Sequence, residues 1–279
     1  MKTYPIKAAG LIILLGSVCA VAGERIKMPD DLFYHRFASS IPGPEASWVN
    51  PAGLGDFKDF SINYIATFDN GRLSGNYALN ITGDGLAVVR RTFVNRAGEK
   101  YDEYVFAAGA ELGRGFFWGG SYRYFKKGPE SYNKKHFWNM GFQVTQNPVL
   151  SCGVLFSNLN RAKLNGERTD IEQLYSITYA LHENILKVSV EMSLSTGQSL
   201  SSAEYNYGAE FFPTERLAIY GNLRNNGSFE IGLSVNLGHY RLGGQSRFNS
   251  DGIHQESPLF VGYTGGTQSS REPNYGADR

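Results

Sequence analysis

Cysteine is almost absent from this 279-residue chain, which holds only Cys19 and Cys152. Cys19 falls in an N-terminal segment that reads as a removable leader, so one thiol is left and no intramolecular disulfide can staple the fold. Long apolar runs are equally scarce. After residue 22 no stretch approaches the roughly 20 consecutive apolar residues of a membrane-spanning helix. Charge of one sign is lacking too. Removing Lys2 and Lys7 from the 27 basic residues leaves 25 against 26 acidic ones, a formal charge of −1 with no basic cluster, which argues against nucleic-acid binding. Catalytic signatures are missing as well: His35, His136, His182, His239 and His254 are dispersed, with neither a His-Glu-x-x-His nor a Gly-x-Ser-x-Gly motif. Ser131 and Lys134 have a Ser-x-x-Lys spacing without the motifs that would accompany it in an enzyme. One thiol and scattered histidines give no metal-ligand set. The expectation is a chain that is not an enzyme and carries no cofactor or metal.

What is present is aromatic and regular. Aromatics make up 14% of the residues and glycine 33 positions, yet the mean hydropathy is only −0.31, so apolar residues must be dispersed among polar ones. They are dispersed with period two. Leu186, Val188, Val190, Met192 and Leu194 alternate with Lys187, Ser189, Glu191 and Ser193, and Phe229, Ile231, Leu233, Val235 and Leu237 with Glu230, Gly232, Ser234 and Asn236. One face of each run is oily and the other wet, as in a strand between lipid and lumen.

About fourteen such runs follow one another, at 59–68, 72–81, 85–94, 101–112, 115–126, 134–145, 149–158, 171–181, 185–194, 204–212, 216–224, 227–237, 239–248 and 257–264. Most are about ten residues long, enough for a tilted strand to cross a bilayer, against five or six in soluble sandwiches. The third and eleventh are the least regular, because Arg90 and Arg91 are adjacent and Ala218 and Tyr220 blur the faces. Short connections alternate with longer ones, which predicts short periplasmic turns, longer external loops and both barrel ends inside. Phe116, Trp118, Tyr122, Tyr124, Tyr175, Tyr205, Phe211 and Tyr240 fall on the lipid face, as an interfacial girdle requires. The fold expected is all-β: a transmembrane antiparallel β-barrel of about 14 strands with a short N-terminal plug.

The N-terminus supports export. Lys2 and Lys7, an apolar run over 8–18, and Ala20-Val21-Ala22 read as a signal peptide over 1–22. Residues 23–58 do not alternate and carry Pro29, Pro42, Pro44 and Pro51, but Leu32, Phe33, Phe37, Ile41 and Trp48 argue against a disordered tail. A plug (hatch) folded into the lumen accounts for both observations. The barrel then covers 59–264 and a polar tail 265–279, with Phe248 as the other candidate end of the last strand.

Within the plug, Ser39-Ser40-Ile41-Pro42-Gly43-Pro44-Glu45-Ala46-Ser47-Trp48-Val49-Asn50-Pro51-Ala52-Gly53-Leu54 resembles the N-terminal hatch of the FadL and PorV-like outer-membrane proteins, whose Asn-Pro-Ala motif precedes a fourteen-stranded barrel. FadL-type members pass long-chain fatty acids or other hydrophobic molecules. PorV-like members are accessory components for secretion or surface attachment of other proteins. The resemblance implies a cell outer membrane location in a Gram-negative-type bacterium. Its implied partners are outer-membrane lipid and either a hydrophobic small-molecule substrate or a secretion-system protein. The chain departs from the fatty-acid transporters in its short loops, the longest being 159–170, and in lacking a terminal aromatic residue.

Candidate ligand-binding or gating residues are therefore Trp48, Asn50 and Pro51. Pro51 fixes its own φ and biases Asn50 to an extended shape, so the turn is rigid and either presents Asn50 to the lumen or merely seats the plug. The wet faces put mixed charge on the lumen, chiefly Glu103, Glu111, Lys187, Glu191, Arg241 and Arg247, joined by Arg123, Glu204, Glu210 and Glu230, with His239 near Arg241. Paired charges of this kind hold a plug or line a hydrated wall.

Overall fold

A computed structural model describes residues 37–40, 43–69, 71–94, 98–128, 132–147, 149–181 and 185–265. The leader over 1–22, the plug segment up to residue 36 and the tail from 266 lie outside the described residues. The strands are β1 (Phe60–Asp69), β2 (Arg72–Gly83), β3 (Leu86–Val94), β4 (Lys100–Gly113), β5 (Phe116–Lys127), β6 (His136–Asn147) and β7 (Leu150–Ser157). A two-residue pair follows, β8 (Lys163–Leu164) and β9 (Glu167–Arg168). The array resumes with β10 (Glu172–Leu181), β11 (Leu186–Ser195), β12 (Glu204–Thr214), β13 (Leu217–Arg224), β14 (Phe229–Leu237), β15 (Tyr240–Phe248) and β16 (His254–Gly265).

Fourteen of these strands form one closed antiparallel barrel in which each pairs with its sequence neighbour, and β1 meets β16 from Phe60↔Gly265 to Phe68↔Ser257. Phe248 is thus not the end of the array, because β16 is needed to close it. Closure leaves no unpaired edge, which is what a sheet surrounded by hydrocarbon requires. The β8–β9 hairpin stands apart in the connection between β7 and β10.

Short turns gather at one end of the barrel. Asp84 and Gly85 both take left-handed φ, 48° and 77°, in the two-residue β2–β3 turn, the pairing that such hairpins favour. The opposite end carries the longer connections, including that over 158–171. These are called below the turn end and the loop end. Both termini of the barrel lie at the turn end.

The alternation places its apolar set outward. Ile62, Leu79, Val88, Phe106, Ile177, Val190, Ile231 and Val261 are all exposed, while Ser176, Ser189, Asn222, Glu230 and Gln245 are buried. This is a soluble protein inside out, and its outer surface fits hydrocarbon rather than water. Among the described residues no helix is long and apolar enough to cross a membrane; the strands make the crossing.

The wet face is not wet throughout. Phe93, Tyr101, Phe125 and Phe137 point inward at the loop end and are almost fully buried. Inside a filled barrel the lumen is a packed core, so inward positions need not be polar. The eleventh run resolves similarly. Tyr220 faces inward on β13, directly opposite Gly232 on β14, where a Cβ would fall 2.3 Å from the Tyr220 ring. Phe260 covers Gly243 in the same way across β15 and β16, an aromatic shielding a bare glycine in each case.

Candidate functional site

The plug enters the lumen toward the turn end. After a turn at 37–40 it forms one helical turn, Ala46–Val49, and a 3-10 helix, Pro51–Asp56. Pro51 opens the second helix, where its missing N–H is no loss. Asn50 is extended, with φ −153° and ψ 103°, and its Oδ1 accepts from Ala52 N at 3.2 Å to cap that helix. Its Nδ2 donates to Ala38 O at 2.8 Å and to Phe142 O at 3.1 Å. One fully buried amide thus ties together the two helical turns, the 37–40 turn and the wall. Asn50 lies against β6 rather than in open lumen.

The wall beneath is made of glycine. Gly109, Gly119 and Gly141 are direct cross-strand neighbours on β4, β5 and β6. A Cβ at Gly109 or Gly119 would fall 2.4 or 2.3 Å from the Pro51 carbonyl oxygen, and one at Gly141 would fall 1.9 Å from Asn50 Oδ1. Farther round, a Cβ at Gly153 would fall 2.3 Å from Ala38 O, and one at Gly208 would meet the Phe37 ring at 2.1 Å. No side chain fits between plug and sheet at these five positions. Glycine in a strand interior costs about 0.5–1 kcal/mol relative to alanine; here that cost admits the plug backbone.

Polar contacts secure the other sides. Ser39 Oγ lies 2.7 Å from both Ser176 Oγ and Thr178 Oγ1, and Ala38 N donates to Glu191 Oε2 at 3.2 Å. Asn80 on β2 donates to Pro44 O and to Ser47 Oγ. Glu45 pairs with Arg241 of β15 at 3.0 Å, and that guanidinium lies 5.1 Å from the Phe260 ring centroid. The plug therefore spans the lumen and bonds to strands around most of its circumference.

Above the plug, toward the loop end, lies an apolar cluster. Phe93 stacks on Tyr101 at 4.6 Å, and Phe125 meets Phe137 edge-on at 5.8 Å. Tyr132 and Leu164 close it from the loops, and Trp48 of the plug packs against it from below. Beside it Glu103, wholly buried, accepts from Arg91 Nε and Arg123 Nε, both at 2.6 Å. Each arginine also lies within 6 Å of an aromatic ring centroid, Phe93 for Arg91 and Phe125 for Arg123. A second network joins Glu230, Arg247 and Glu256, with Arg247 bonding both carboxylates at 2.7 and 2.6 Å.

The expected residues are thus distributed among different tasks. Trp48 joins plug to cluster, while Asn50 and Pro51 seat the plug. Glu191 and Arg241 bond to the plug, and Glu103 and Arg247 belong to separate wall networks. Lys187 is half-buried with Nζ 5.2 Å from the Phe212 ring centroid. Glu111 stands exposed at the turn-end rim, where it accepts from Gly115 N at 3.1 Å. His239 is exposed at the same end beside Thr264 O. The glycine seat, Glu45, Asn80 and the inward aromatics were not among the residues singled out. The glycines did leave a signal: Gly119, Gly141, Gly153 and Gly208 all fall in the inward phase of their strands. Among the described residues no group of three His, Cys, Asp or Glu side chains could hold a metal.

Several solved structures are similar to this barrel to differing degrees. The Pseudomonas putida toluene transporter TodX matches with a TM-score of 0.51 at 9% identity, over 82% of this chain and 95% of that one. The Ralstonia pickettii toluene transporter TbuX matches at 0.49 and 12%, over 80% and 93%, and the KdgM porin at 0.41 and 11%, over 74% and 99%. At such identities the likeness is one of fold. No family model and no curated protein matches the sequence. The chain has the fold of an outer-membrane barrel.

Proposed function

We propose that this barrel passes a hydrophobic small molecule across the outer membrane, with the aromatic cluster at the loop end as its first binding surface. The observation that carries this reading is the buried apolar cluster that fills the lumen from Phe93 and Phe137 at the loop end to Trp48 on the plug. A hydrated pore needs no such cluster. An apolar solute gains about 25 cal/mol for each Å² it removes from water, and ring faces suit both aromatic and acyl solutes. The name of TodX, a toluene transporter, agrees with this direction. Passage requires the Tyr132 and Leu164 side to swing aside and the plug to yield around Trp48.

Proteoliposomes loaded with a solvatochromic hydrophobic probe test the reading. Uptake by the full chain should exceed that of protein-free vesicles and fall at least tenfold in Phe137→Asn, which places an amide in the cluster. Uptake equal to that of empty vesicles, or unchanged by the substitution, would count against transport.

A second reading, a PorV-like accessory barrel that docks another protein, is favoured by the glycine seat, which holds the plug backbone against three adjacent strands. A barrel of that kind needs a closed interior. Deleting residues 24–56 separates the two, since a transporter should then change its uptake rate while a docking barrel should at most begin to leak ions.

A further inference from the structure

The connection between β7 and β10 carries the β8–β9 hairpin, which shares no ladder with the barrel. Alternation gives that hairpin one dry face and one wet face: Ala162 and Leu164 pack against the aromatic cluster, Leu164 fully buried, while Lys163 and Arg168 are exposed. Both of its feet are pinned to the wall. On the β7 side Asn160 Oδ1 accepts from Trp138 N at 3.1 Å, its Nδ2 donates to His136 O at 2.9 Å, and Leu159 N donates to Trp138 O at 2.9 Å. On the β10 side Ile171 N donates to Thr196 Oγ1 at 3.2 Å, and that hydroxyl donates to Ile171 O at 2.9 Å. Between the pins, among the described residues, the hydrogen bonds of 161–170 stay within the connection: Arg161 N to Asn158 O, Arg161 Nε to Thr169 O, Thr169 N to Ala162 O and the short ladder itself. This stretch touches the rest of the molecule chiefly through its dry face.

The closed pose is unfavourable at its own hinge. Arg161 takes φ 44°, and Asn158, at the other end of the same turn, takes φ 61°, a left-handed region that residues other than glycine enter at a cost. Thr169 Oγ1, Asp170 Oδ2 and both amide atoms of Asn158 are buried and have no hydrogen-bond partner among the described residues. A buried polar atom without a partner has given up its hydration for nothing. Four such atoms fall on three residues of one connection. The other side of the mouth differs. There Lys134 N donates to Phe125 O at 2.8 Å, Phe125 N to Lys135 O at 2.9 Å and Lys135 N to Tyr132 O at 2.9 Å, so backbone bonds tie Tyr132 to the β5–β6 strands.

We infer that residues 161–170 form a lid over the lumen, latched shut by Leu164 among the rings and biased toward opening by its own hinge. Lifting the hairpin exposes Leu164, but it lets water reach the Thr169 hydroxyl, the Asp170 carboxylate and the Asn158 amide, and it frees Arg161 from the left-handed region. The two sides oppose each other, so a solute that takes the place of Leu164 in the cluster tips the balance to the open form. The hairpin turns about its two pins while Tyr132 stays. The lid follows from the fold alone; its release by a solute rests on the transport reading.

Thiol labelling of the full chain tests the lid. In a Cys152→Ser, Leu164→Cys parent the new thiol is buried while the lid is shut, and its rate of reaction with a water-soluble maleimide reports the open form. Thr169→Val, which exchanges the unpartnered hydroxyl for a methyl, should slow labelling about tenfold. Asn158→Gly, which removes the unpartnered amide and suits the left-handed turn, should slow it severalfold. Either variant carries the test if the other does not fold, as judged by heat-modifiable migration. Asn165→Gly, at the exposed hairpin tip with φ 51°, should change nothing, because the tip travels with the lid. A saturating solvatochromic hydrophobic probe should speed labelling about fivefold in the parent. Hinge variants that slow labelling in a parent indifferent to the probe would uphold the lid and count against the cluster as the binding surface. A parent thiol that never reacts while folded, labelling as fast as the parent's in either folded hinge variant, or equal slowing by Asn165→Gly would overturn the lid.

Discussion

The two ends of the lumen are closed by opposite means. At the turn end the wall has given up its side chains, and backbone rests on backbone: Pro51 over Gly109 and Gly119, Ala38 over Gly153. At the loop end the wall has enlarged them, and Phe93, Tyr101, Phe125 and Phe137 meet Tyr132 and Leu164 from the loops. The difference lies in what can yield. A ring can change rotamer and repack, whereas a carbonyl about 2.3 Å from a new Cβ can move only if the plug moves. The turn end should therefore respond to substitution abruptly and the loop end by degrees.

Gly119→Ala together with Gly141→Ala should have the largest effect, up to about 6 kcal/mol if each insertion costs the upper end of the usual overpacking penalty. The plug should leave its seat, and limited proteolysis of the folded barrel should begin to cut within residues 43–56. A plug that stayed protected would erase the contrast between the ends. Glu103→Ala comes next, at about 3–5 kcal/mol, because it leaves Arg91 and Arg123 buried without their carboxylate. Urea unfolding in lipid vesicles would measure the loss, and the plug should stay protected, since the triad belongs to the loop end.

Asn50→Ala should cost about 2 kcal/mol by leaving Ala38 O and Phe142 O without their donor, again with faster cleavage of the plug. Phe125→Leu should be mildest, about 1 kcal/mol, because neighbouring rings can close over the change. Unfolding in vesicles should detect it without any change in plug cleavage. A loss as large as that of the glycine pair would show that the loop end is as unyielding as the turn end.

Much of the wall was legible in the residue order. Strand positions followed from period-two alternation because a strand between lipid and lumen must change solvent at every residue, and the fourteen runs match the fourteen barrel strands to within about three residues at nearly every end. Asn50 and Pro51 stood out because a proline constrains the residue before it. The inward aromatics were not legible. Alternation says which face a residue takes but not what that face meets, and Phe125 reads like an interruption until Tyr132 of the adjoining loop and Leu164 of the β7–β10 connection are brought to it.

By itself, then, the sequence determined the number of strands, the sidedness of each, the grouping of short turns and a rigid Asn50-Pro51 corner ahead of the barrel. These are local properties, set by backbone geometry and by the solvent each face requires. Only the tertiary structure decided that Gly109, Gly119 and Gly141 form one seat, that Glu45 reaches Arg241 across the lumen, and that neighbouring Arg90 and Arg91 point to opposite sides of the wall. Closing the sheet brings together residues far apart in the chain, and the register of that closure is a property of all fourteen strands together.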